Sequence, residues 1–353
     1  MMGRRTLTFS AAAGGTTAFW LFGLPLPFLF GPMFACLAAA LAGLPMAGFG
    51  QISVAARTIL GVAIGSSITP AVVGRIPEMA LSVALVPIFV GVIGLVGVPF
   101  FRRVWGFDAP TAYYAAMPGG LQDMVIFGIE AGANPRALSL IHATRVLFIV
   151  TLAPIFLTTL YGQTLSNPIG VPASEFALSE LVIMAMAALI GWKGGEWLGL
   201  FGASILGPMI VTATLSVTGV IHGRPPAEGI LFAQFFIGLG IGVYFVGVTW
   251  RELSRDVVAG AAYVVLLSVL AAILSYVVTL VGLAHGVDAF LAFAPGGQAE
   301  MTVLAIVAGA DLGYVIAHHL TRIVFVILGA PIVARMLNDR KKQKRSGENT
   351  DTK

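Results

Sequence analysis

The chain has 353 residues, of which 58% are hydrophobic and only 10% are charged. Soluble globular proteins carry roughly a quarter charged residues, so this composition excludes an ordinary soluble domain and indicates a membrane protein. The net charge of +4 comes from basic residues near predicted helix ends and in the tail, a pattern typical of cytoplasmic membrane loops. We therefore expect a lipid bilayer as partner and no direct contact with nucleic acid. The single cysteine, Cys36, excludes an internal disulfide framework or a Cys-rich metal site.

Long apolar segments recur along the chain. The first follows Arg4 and Arg5 and is interpreted as a retained helix rather than a signal peptide, because no soluble mature domain follows it. Later apolar runs cover residues 80–101, 177–192 with its flanks, and 257–281, and each is long enough to cross a hydrocarbon core of about 30 Å. Their continuity predicts helices, since strands of a barrel with a polar lumen would alternate in polarity.

An internal repeat relates residues 118–156 to residues 295–333 at a constant offset of 177, with about 15 of 39 positions identical. The matches extend to polar residues, which apolar composition alone does not explain. The pairs are Pro118 with Pro295, Gly119 with Gly296, Gly120 with Gly297, Asp123 with Glu300, His142 with His319, and Arg145 with Arg322.

The earlier part of each half carries two further matched motifs. A Gly-Pro-Met sequence at residues 31–33 recurs at 207–209, and a Gly-xxx-Gly spacing at residues 61–65 recurs at 238–242. Small residues at this spacing allow close helix contact in lipid, so the glycine pairs are predicted to be packing residues. The Gly-Pro-Met motifs are predicted to be helix-entry or packing devices, with a cavity-lining role as the alternative.

These matches divide the chain into two membrane repeats rather than independent domains. The segments are an N-terminal repeat (1–160), a linker (161–173), a C-terminal repeat (174–337) and a basic tail (338–353) that is predicted to be a disordered cytoplasmic extension.

The symmetry depends on whether the Pro-Gly-Gly segment crosses the membrane. If it crosses, each half has six spans, the repeats are parallel, and Arg136, Lys193, Arg251 and Arg255 lie outside. If it enters and returns, each half has five spans, the repeats are inverted, and those residues lie inside. The positive-inside rule favours the second arrangement. The predicted fold is thus an all-α polytopic membrane protein with about ten transmembrane helices, in the bacterial inner membrane with both termini cytoplasmic.

The Pro-Gly-Gly breaks are the predicted functional centre. Proline ends a helical hydrogen-bond ladder, and glycines permit backbone angles and approaches that other residues resist. The next helix would direct its positive N-terminus into the protein at membrane depth, where Asp123 or Glu300 is placed to cap it. Inverted repeats with broken or re-entrant segments are common in secondary transporters. The alternative is a tight turn at the membrane surface.

The duplicated motifs, Pro-Gly-Gly with acid-Met, Ala-Gly-Ala with Asn or Asp, and His-x-Thr-Arg, resemble the bacterial AbrB membrane-protein duplication family over nearly the whole chain. Members carry labels such as AbrB-family regulator or ammonia monooxygenase, and the family is distantly similar to cation/proton antiporters and anion transporters. The resemblance implies the fold and a transport role, but no catalytic residue. The chain is not similar to the small soluble DNA-binding AbrB proteins.

The His and Arg of each repeat lie three residues apart, so they share a helix face. Buried arginine needs a partner, and the predicted partners are Asp123 and Glu300, within a half or across the pseudo-twofold axis. The pairs either fix the broken segments or change partner during proton, ion or anion movement. Asn134 and Asp311 are predicted to be helix C-caps or turn residues rather than ligands.

The sequence therefore predicts a secondary transporter for a small anionic or weakly acidic solute. The second candidate is a membrane-embedded regulator of gene expression that acts through a partner or through the transported solute, and the third is an intramembrane enzyme. We expect no enzyme activity, no cofactor and no metal. The sequence allows either a monomer or a homo-oligomer. The candidate solute-binding or ion-binding residues are Pro118, Gly119, Gly120, Asp123, His142, Arg145, Pro295, Gly296, Gly297, Glu300, His319 and Arg322.

Overall fold

The structure is a computed structural model that describes residues 2–165, 169–200 and 202–348, and within these it is helical without strands. The first half contains α1 (Met2–Leu21), α2 (Pro27–Leu41), α3 (Gln51–Gly65), α4 (Pro70–Gly74), α5 (Ile76–Pro99), α6 (Ala109–Ala116), α7 (Leu121–Glu130) and α8 (Pro135–Thr159). The second half contains α9 (Leu178–Trp197), α10 (Ala203–Val217), α11 (Ala227–Val243), α12 (Trp250–Glu252), α13 (Val258–Leu280), α14 (Gly286–Phe293), α15 (Gln298–Ala308) and α16 (Leu312–Glu348).

Each half contains one π-helical turn, but the two turns lie at opposite ends of the equivalent helices α5 and α13. A π-helical turn, Phe100–Val104, extends α5, and a second one, Leu253–Val257, precedes α13. The segment between the halves contains a short 3₁₀ turn, Ala173–Glu175, and residues 166–168 of the predicted linker lie outside the described chain. The tail that was predicted to be disordered instead continues α16 through Glu348.

Within the described residues, five helices are long and apolar enough to cross a membrane, which fits a membrane protein. They cover Ile76–Val104, Pro135–Thr159, Leu178–Trp197, Trp250–Leu280 and Leu312–Ala330. The helices α2, α3, α10 and α11 are apolar but have only 15 to 17 residues. At about 1.5 Å per residue they reach about 23–26 Å, less than a typical hydrocarbon core. Length therefore distinguishes these four helices from the five long ones.

Packing separates the helices into two units. The six-helix unit consists of α1–α3 and α9–α11, which pack mainly on one another, with α2 against α11 and α3 against α10. The hairpin unit consists of α5–α8 and α13–α16. The two units meet mainly where α15 contacts α3 and α8 contacts α11. Each unit contains equivalent helices from both halves of the sequence.

Contacts across the hairpin unit give the helix directions. The Tyr263 hydroxyl in α13 donates to the Ala116 carbonyl and lies against Gly97, near the end of α5. Arg255, eight residues before Tyr263, donates to the carbonyl of Gly106, nine residues after Gly97. Sequence numbers therefore rise along α5 as they fall along α13, so these two equivalent helices run antiparallel.

The glycine spacings bring helices of the six-helix unit into close contact. A Cβ atom at Gly61 would lie 2.5 Å from the carbonyl oxygen of Ile205, and one at Gly65 would lie 2.5 Å from that of Met209. Gly238 and its partner in α11 contact α2 in the same way. The glycines are packing residues, as predicted, because backbone occupies the space that a side chain would need.

The Gly-Pro-Met motifs also lie at helix contacts. A Cβ atom at Gly31 in α2 would collide with backbone of Thr16 in α1, and Met33 is fully buried. In the second half, Gly207 of α10 meets the backbone of Gly191 in α9. Both motifs are therefore packing devices, the first of the two alternatives.

We expect Gly61→Ala to destabilise the protein by about 1–3 kcal/mol, because the added methyl group would force α3 away from the backbone of α10. Gly194→Ala is the matched control: Gly194 also lies inside a helix, but nothing occupies the space around its Cβ position. Thermal unfolding of both purified variants measures the difference. Equal unfolding temperatures would contradict the close contact.

Candidate functional site

Each Pro-Gly-Gly motif forms the tip of a helical hairpin whose two ends lie together. Hairpin 1 consists of α6, the tip at residues 117–120, and α7; the Asn134 amide just after it donates to the hydroxyl of Thr111 near its start, at 2.8 Å. Hairpin 2 consists of α14, the tip at residues 294–297, and α15. Its ends are joined by the Asp311 amide, which donates to the Asp288 carboxylate at 2.8 Å. The chain therefore returns at each tip to the end from which it came.

The same two positions begin the helices that follow the hairpins. The Asn134 side chain accepts hydrogen bonds from the amides of Arg136 and Ala137, and Asp311 accepts one from Tyr314. They are N-caps of α8 and α16, so the prediction of C-caps was wrong. The Pro-Arg or Leu-Gly that follows begins a new helix, and the free N–H groups of that helix need the side-chain acceptor.

Arginine holds the tip of hairpin 1. The guanidinium of Arg145 in α8 donates to the carbonyls of Met117, at 3.2 Å, and Gly119, at 2.6 Å. These carbonyls follow the last turn of α6, where helical partners are missing and the helix dipole attracts positive charge. One turn earlier in α8, the His142 ring is 3.1 Å from the Tyr114 carbonyl. This pair of side chains fixes α6 and its tip along α8.

Hairpin 2 repeats the network residue for residue. Arg322 in α16 donates to the carbonyls of Ala294 and Gly296, both at 2.8 Å, and the His319 ring is 2.8 Å from the Leu291 carbonyl. These five residues are buried. Every residue of this network lies 177 positions after its counterpart in hairpin 1, so the two repeats share these hydrogen bonds as well as their sequence motifs.

The Pro-Gly-Gly sequence also explains the acid and methionine that follow it. A Cβ atom at Gly119 would collide with the Met124 side chain, and one at Gly120 would collide with the Asp123 carboxylate. In hairpin 2 the Met301 side chain and the Glu300 carboxylate occupy the matching places. The glycines thus make room for a methionine on one side of the tip and a carboxylate on the other. Each carboxylate lies in the first turn of a helix, where negative charge is favourable.

The predicted ion pairs between these acids and the motif arginines are not formed at salt-bridge distance in the described chain, because both guanidinium groups are directed to tip carbonyls. Salt bridges instead hold the hairpin bases. Arg75 before α5 is 2.7 Å from Asp311, a contact that raises the pKa of Arg75, and Arg136 is 2.9 Å from Glu252. Arg75 and Glu252 are repeat equivalents with opposite charges, whereas their partners Asp311 and Arg136 are not equivalent positions.

The two tips meet at one cavity of about 470 Å³. Its wall contains both Pro-Gly-Gly glycine pairs, the carboxylates of Asp123 and Glu300, and the side chains of Arg145 and Arg322. The first turns of α3 and α10 and the last turns of α11, all from the six-helix unit, line the remaining side. The structure thus brings most of the predicted site residues of the two repeats together at one cavity, although equivalent residues are 177 positions apart in the sequence.

Three of the twelve candidates are not among the cavity-lining residues. Pro295 lies instead on a neighbouring apolar groove between α8 and α13, while His142 and His319 are enclosed beneath the hairpins. The histidines contact hairpin carbonyls, which makes them positioning residues in this conformation.

One charged cavity residue was missed by the sequence analysis. Arg57 in α3 is half-buried, lines the cavity, and is close enough to both Asp123 and Glu300 to attract them electrostatically. Its repeat equivalent is Gln234, so a search for duplicated charge passes over it. The available signal was a lone arginine inside an otherwise apolar helix.

Comparison with known proteins agrees with these duplicated features. A sequence profile described as "Transition state regulatory protein AbrB" matches residues 28–338. YhjN of Bacillus subtilis (strain 168) is 27% identical over 311 residues, which cover 82% of this chain and 80% of that protein. A protein of Escherichia coli (strain K12) that is named as a regulator, AbrB, is 24% identical over 330 residues, covering 89% of this chain and 91% of its own length. Because the profile covers both hairpins and most of both units, this chain belongs to the AbrB family.

Proposed function

We propose that the protein is a secondary transporter of a small anionic or weakly acidic solute, which binds in the cavity between the hairpin tips. The observation that carries the proposal is the meeting of two duplicated, arginine-held tips at one cavity. A packing device alone does not require paired breaks that expose helix N-termini, carboxylates and guanidinium groups to a shared space. Transporters commonly build midplane sites from discontinuous helices of this kind.

The depth of the tips supports a midplane site. Arg145 lies ten residues after the start of α8, and Arg322 lies ten residues after the start of α16. Ten residues of helix correspond to about 15 Å, half the thickness of a hydrocarbon core of about 30 Å. Both hairpins would therefore enter to the middle and return, in agreement with the re-entrant alternative. Their backbone is buried in protein, where irregular segments are tolerated.

The helix directions support inverted repeats. Equivalent helices α5 and α13 run antiparallel, and α8 begins beside α12, the short helix that leads into α13, through the Arg136–Glu252 salt bridge. Likewise α16 begins beside the start of α5, through Arg75 and Asp311. Hairpin 1 and hairpin 2 would then enter from opposite faces. With ten spans and both termini in the cytoplasm, hairpin 1 enters from the cytoplasmic face of the inner membrane.

The cavity in this arrangement lies toward the cytoplasm. Its wall includes the end of α11, and a short segment leads from there to Glu252, which pairs with Arg136 at the base of hairpin 1. The conformation is then inward-facing. The sparse contacts between the six-helix unit and the hairpin unit leave a boundary along which the units can shift.

Regulation of gene expression is the second candidate, because a relative and the family description carry regulator names. In this chain the role would act through the transported solute or through a partner. Measurement of solute flux separates a regulator that transports from one that only binds a partner.

Solute binding tests the proposal. We expect small organic acids to raise the unfolding temperature of the purified protein. The double variant Asp123→Asn with Glu300→Gln should need at least tenfold less ligand for the same stabilisation, because the loss of two negative charges from the cavity wall strengthens its attraction for an anion. The matched control is Glu130→Gln, an exposed carboxylate at the end of α7. Identical stabilisation of the wild type, the double variant and the control would place the binding site elsewhere.

Topology has its own test. Cysteines introduced beside Lys193 and Arg251 should react with a membrane-impermeant thiol reagent only from the cytoplasmic face. Labelling of both from the periplasmic face would exclude the inverted arrangement.

A further inference from the structure

We propose that Arg57 binds the carboxylate of the solute, and that the solute is a monovalent organic acid with a small apolar body. The inference rests on the proposed transport function and deepens it by assigning the ligand class. Arg57 belongs to neither duplicated motif, and it comes from the six-helix unit, across the cavity from the tips.

Among the cavity guanidinium groups of the described chain, the one that remains free for a ligand is that of Arg57. Arg145 and Arg322 each donate to two tip carbonyls, and both are nearly fully buried. Arg57 is only half-buried, and within the described chain no carboxylate lies at salt-bridge distance from it. Asp123 and Glu300 attract it from the hairpins without direct contact. A solute carboxylate can therefore pair with Arg57 without first breaking a salt bridge.

The charges around the cavity favour a monoanion. Three guanidinium groups and two carboxylates line it, so one positive charge is left when all five are ionised. The N-termini of α3, α7, α10 and α15 add positive potential at the cavity wall, and the C-termini of α6, α11 and α14, which end at or beside the cavity, offset most of it. A single carboxylate neutralises the excess, whereas a dianion leaves the cavity with net negative charge.

The remaining wall favours an apolar body. Phe236, Ile237 and Ile241 of α11 face the cavity together with Val54 of α3 and Leu206 of α10. These side chains lie on the six-helix side, next to Arg57. A cavity of about 470 Å³ falls in the range of ordinary small-ligand sites. The arrangement suits a short aliphatic or aromatic monocarboxylate with its acid group at Arg57 and the tips.

The repeat makes Arg57 distinctive. Its equivalent, Gln234 in α11, is fully buried, and neither atom of its amide group has a hydrogen-bond partner in the described chain. The duplication thus placed a polar residue at both positions, but a charge at only one. An interior packing role would be served by an apolar residue at either position, since an unpaired buried amide costs about 1–3 kcal/mol.

The experiment compares wild type with Arg57→Gln and Arg57→Lys in the full chain, using benzoate, hexanoate, succinate and benzamide as probes. The readouts are ligand-induced thermal stabilisation and uptake into proteoliposomes. We expect wild type to bind the two monocarboxylates more tightly than succinate or benzamide. Arg57→Gln should weaken monocarboxylate binding at least tenfold, and Arg57→Lys should weaken it less. Arg103→Gln removes an equal charge from an exposed site outside the cavity and should bind as wild type does.

The outcomes separate the two proposals. If wild type binds and transports a monocarboxylate but Arg57→Gln equals Arg103→Gln, the assignment of Arg57 is wrong and transport stands. Preference for succinate would overturn the monoanion class. If wild type neither binds nor transports any organic anion, both proposals are wrong. Unfolding temperatures measured without ligand identify a variant that has lost its fold, and Arg57→Lys then decides the result.

Discussion

Replacing Arg145 or Arg322 by glutamine is expected to abolish solute transport and to lower stability by about 3 kcal/mol per variant. Each arginine donates two hydrogen bonds to the carbonyls of a hairpin tip, and bonds from charged donors contribute about 1.5–3 kcal/mol each. Glutamine is too short and too poor in donors to hold both carbonyls. Buried carbonyls would lose their partners, and the tip would no longer present its glycines and acid to the cavity.

Thermal unfolding and proteoliposome uptake measure the two effects. Lys193→Gln is the control, because Lys193 forms an exposed pair with Glu196, which contributes at most about 1 kcal/mol. The duplicated network predicts similar losses for the two arginine variants. Wild-type uptake by either variant would show that its hairpin does not need the arginine.

A cysteine at position 234 is expected to change from unreactive to fully reactive when the protein turns outward. Gln234 occupies the repeat position of Arg57, and inverted repeats can exchange conformations so that each half adopts the environment of the other. The start of α11 would then line the opposite cavity as the start of α3 lines this one. The unpartnered amide of Gln234 would gain water or solute as a partner.

The reciprocal variant sharpens this test. Ser53→Cys lies at the cavity wall in the present conformation and should lose reactivity under conditions in which Gln234→Cys gains it. Both variants need a Cys36→Ser background, since Cys36 is the native thiol. A membrane-impermeant maleimide applied from each face measures the exchange. Permanent protection of position 234 during active uptake would exclude the proposed alternation.

The hairpins could be located from the sequence because their contacts are duplicated with their residues. Pro-Gly-Gly marks a break in both repeats, and the His and Arg three positions apart indicate one buried helix face. Their partners could not be identified in the same way. Sequence pattern favours pairing Arg145 with an acid, whereas the guanidinium binds the carbonyls of Met117 and Gly119, which carry no sequence signature.

Only one of the two walls of the cavity could be predicted from the sequence. Its hairpin wall comes from repeated motifs, but its other wall comes from α3, α10 and α11, where sequence similarity is reduced to glycine spacing. Arg57 has no charged counterpart and therefore escaped the comparison of halves. Asn134 and Asp311 were assigned to the wrong helix terminus because Ala-Gly-Ala resembles the end of one helix more than the approach to the next.

Uptake into proteoliposomes tests the central claim, that the meeting of the two tips forms a solute route. Wild type and Asp123→Asn with Glu300→Gln should be reconstituted at equal density, with Glu130→Gln as control, and offered labelled organic acids. The account predicts saturable uptake by wild type and the control, and at least a tenfold lower rate for the double variant, because its unopposed guanidinium groups hold the anion more tightly and release it more slowly. Equal rates for all three proteins, or no uptake of any acid by wild type, would contradict it.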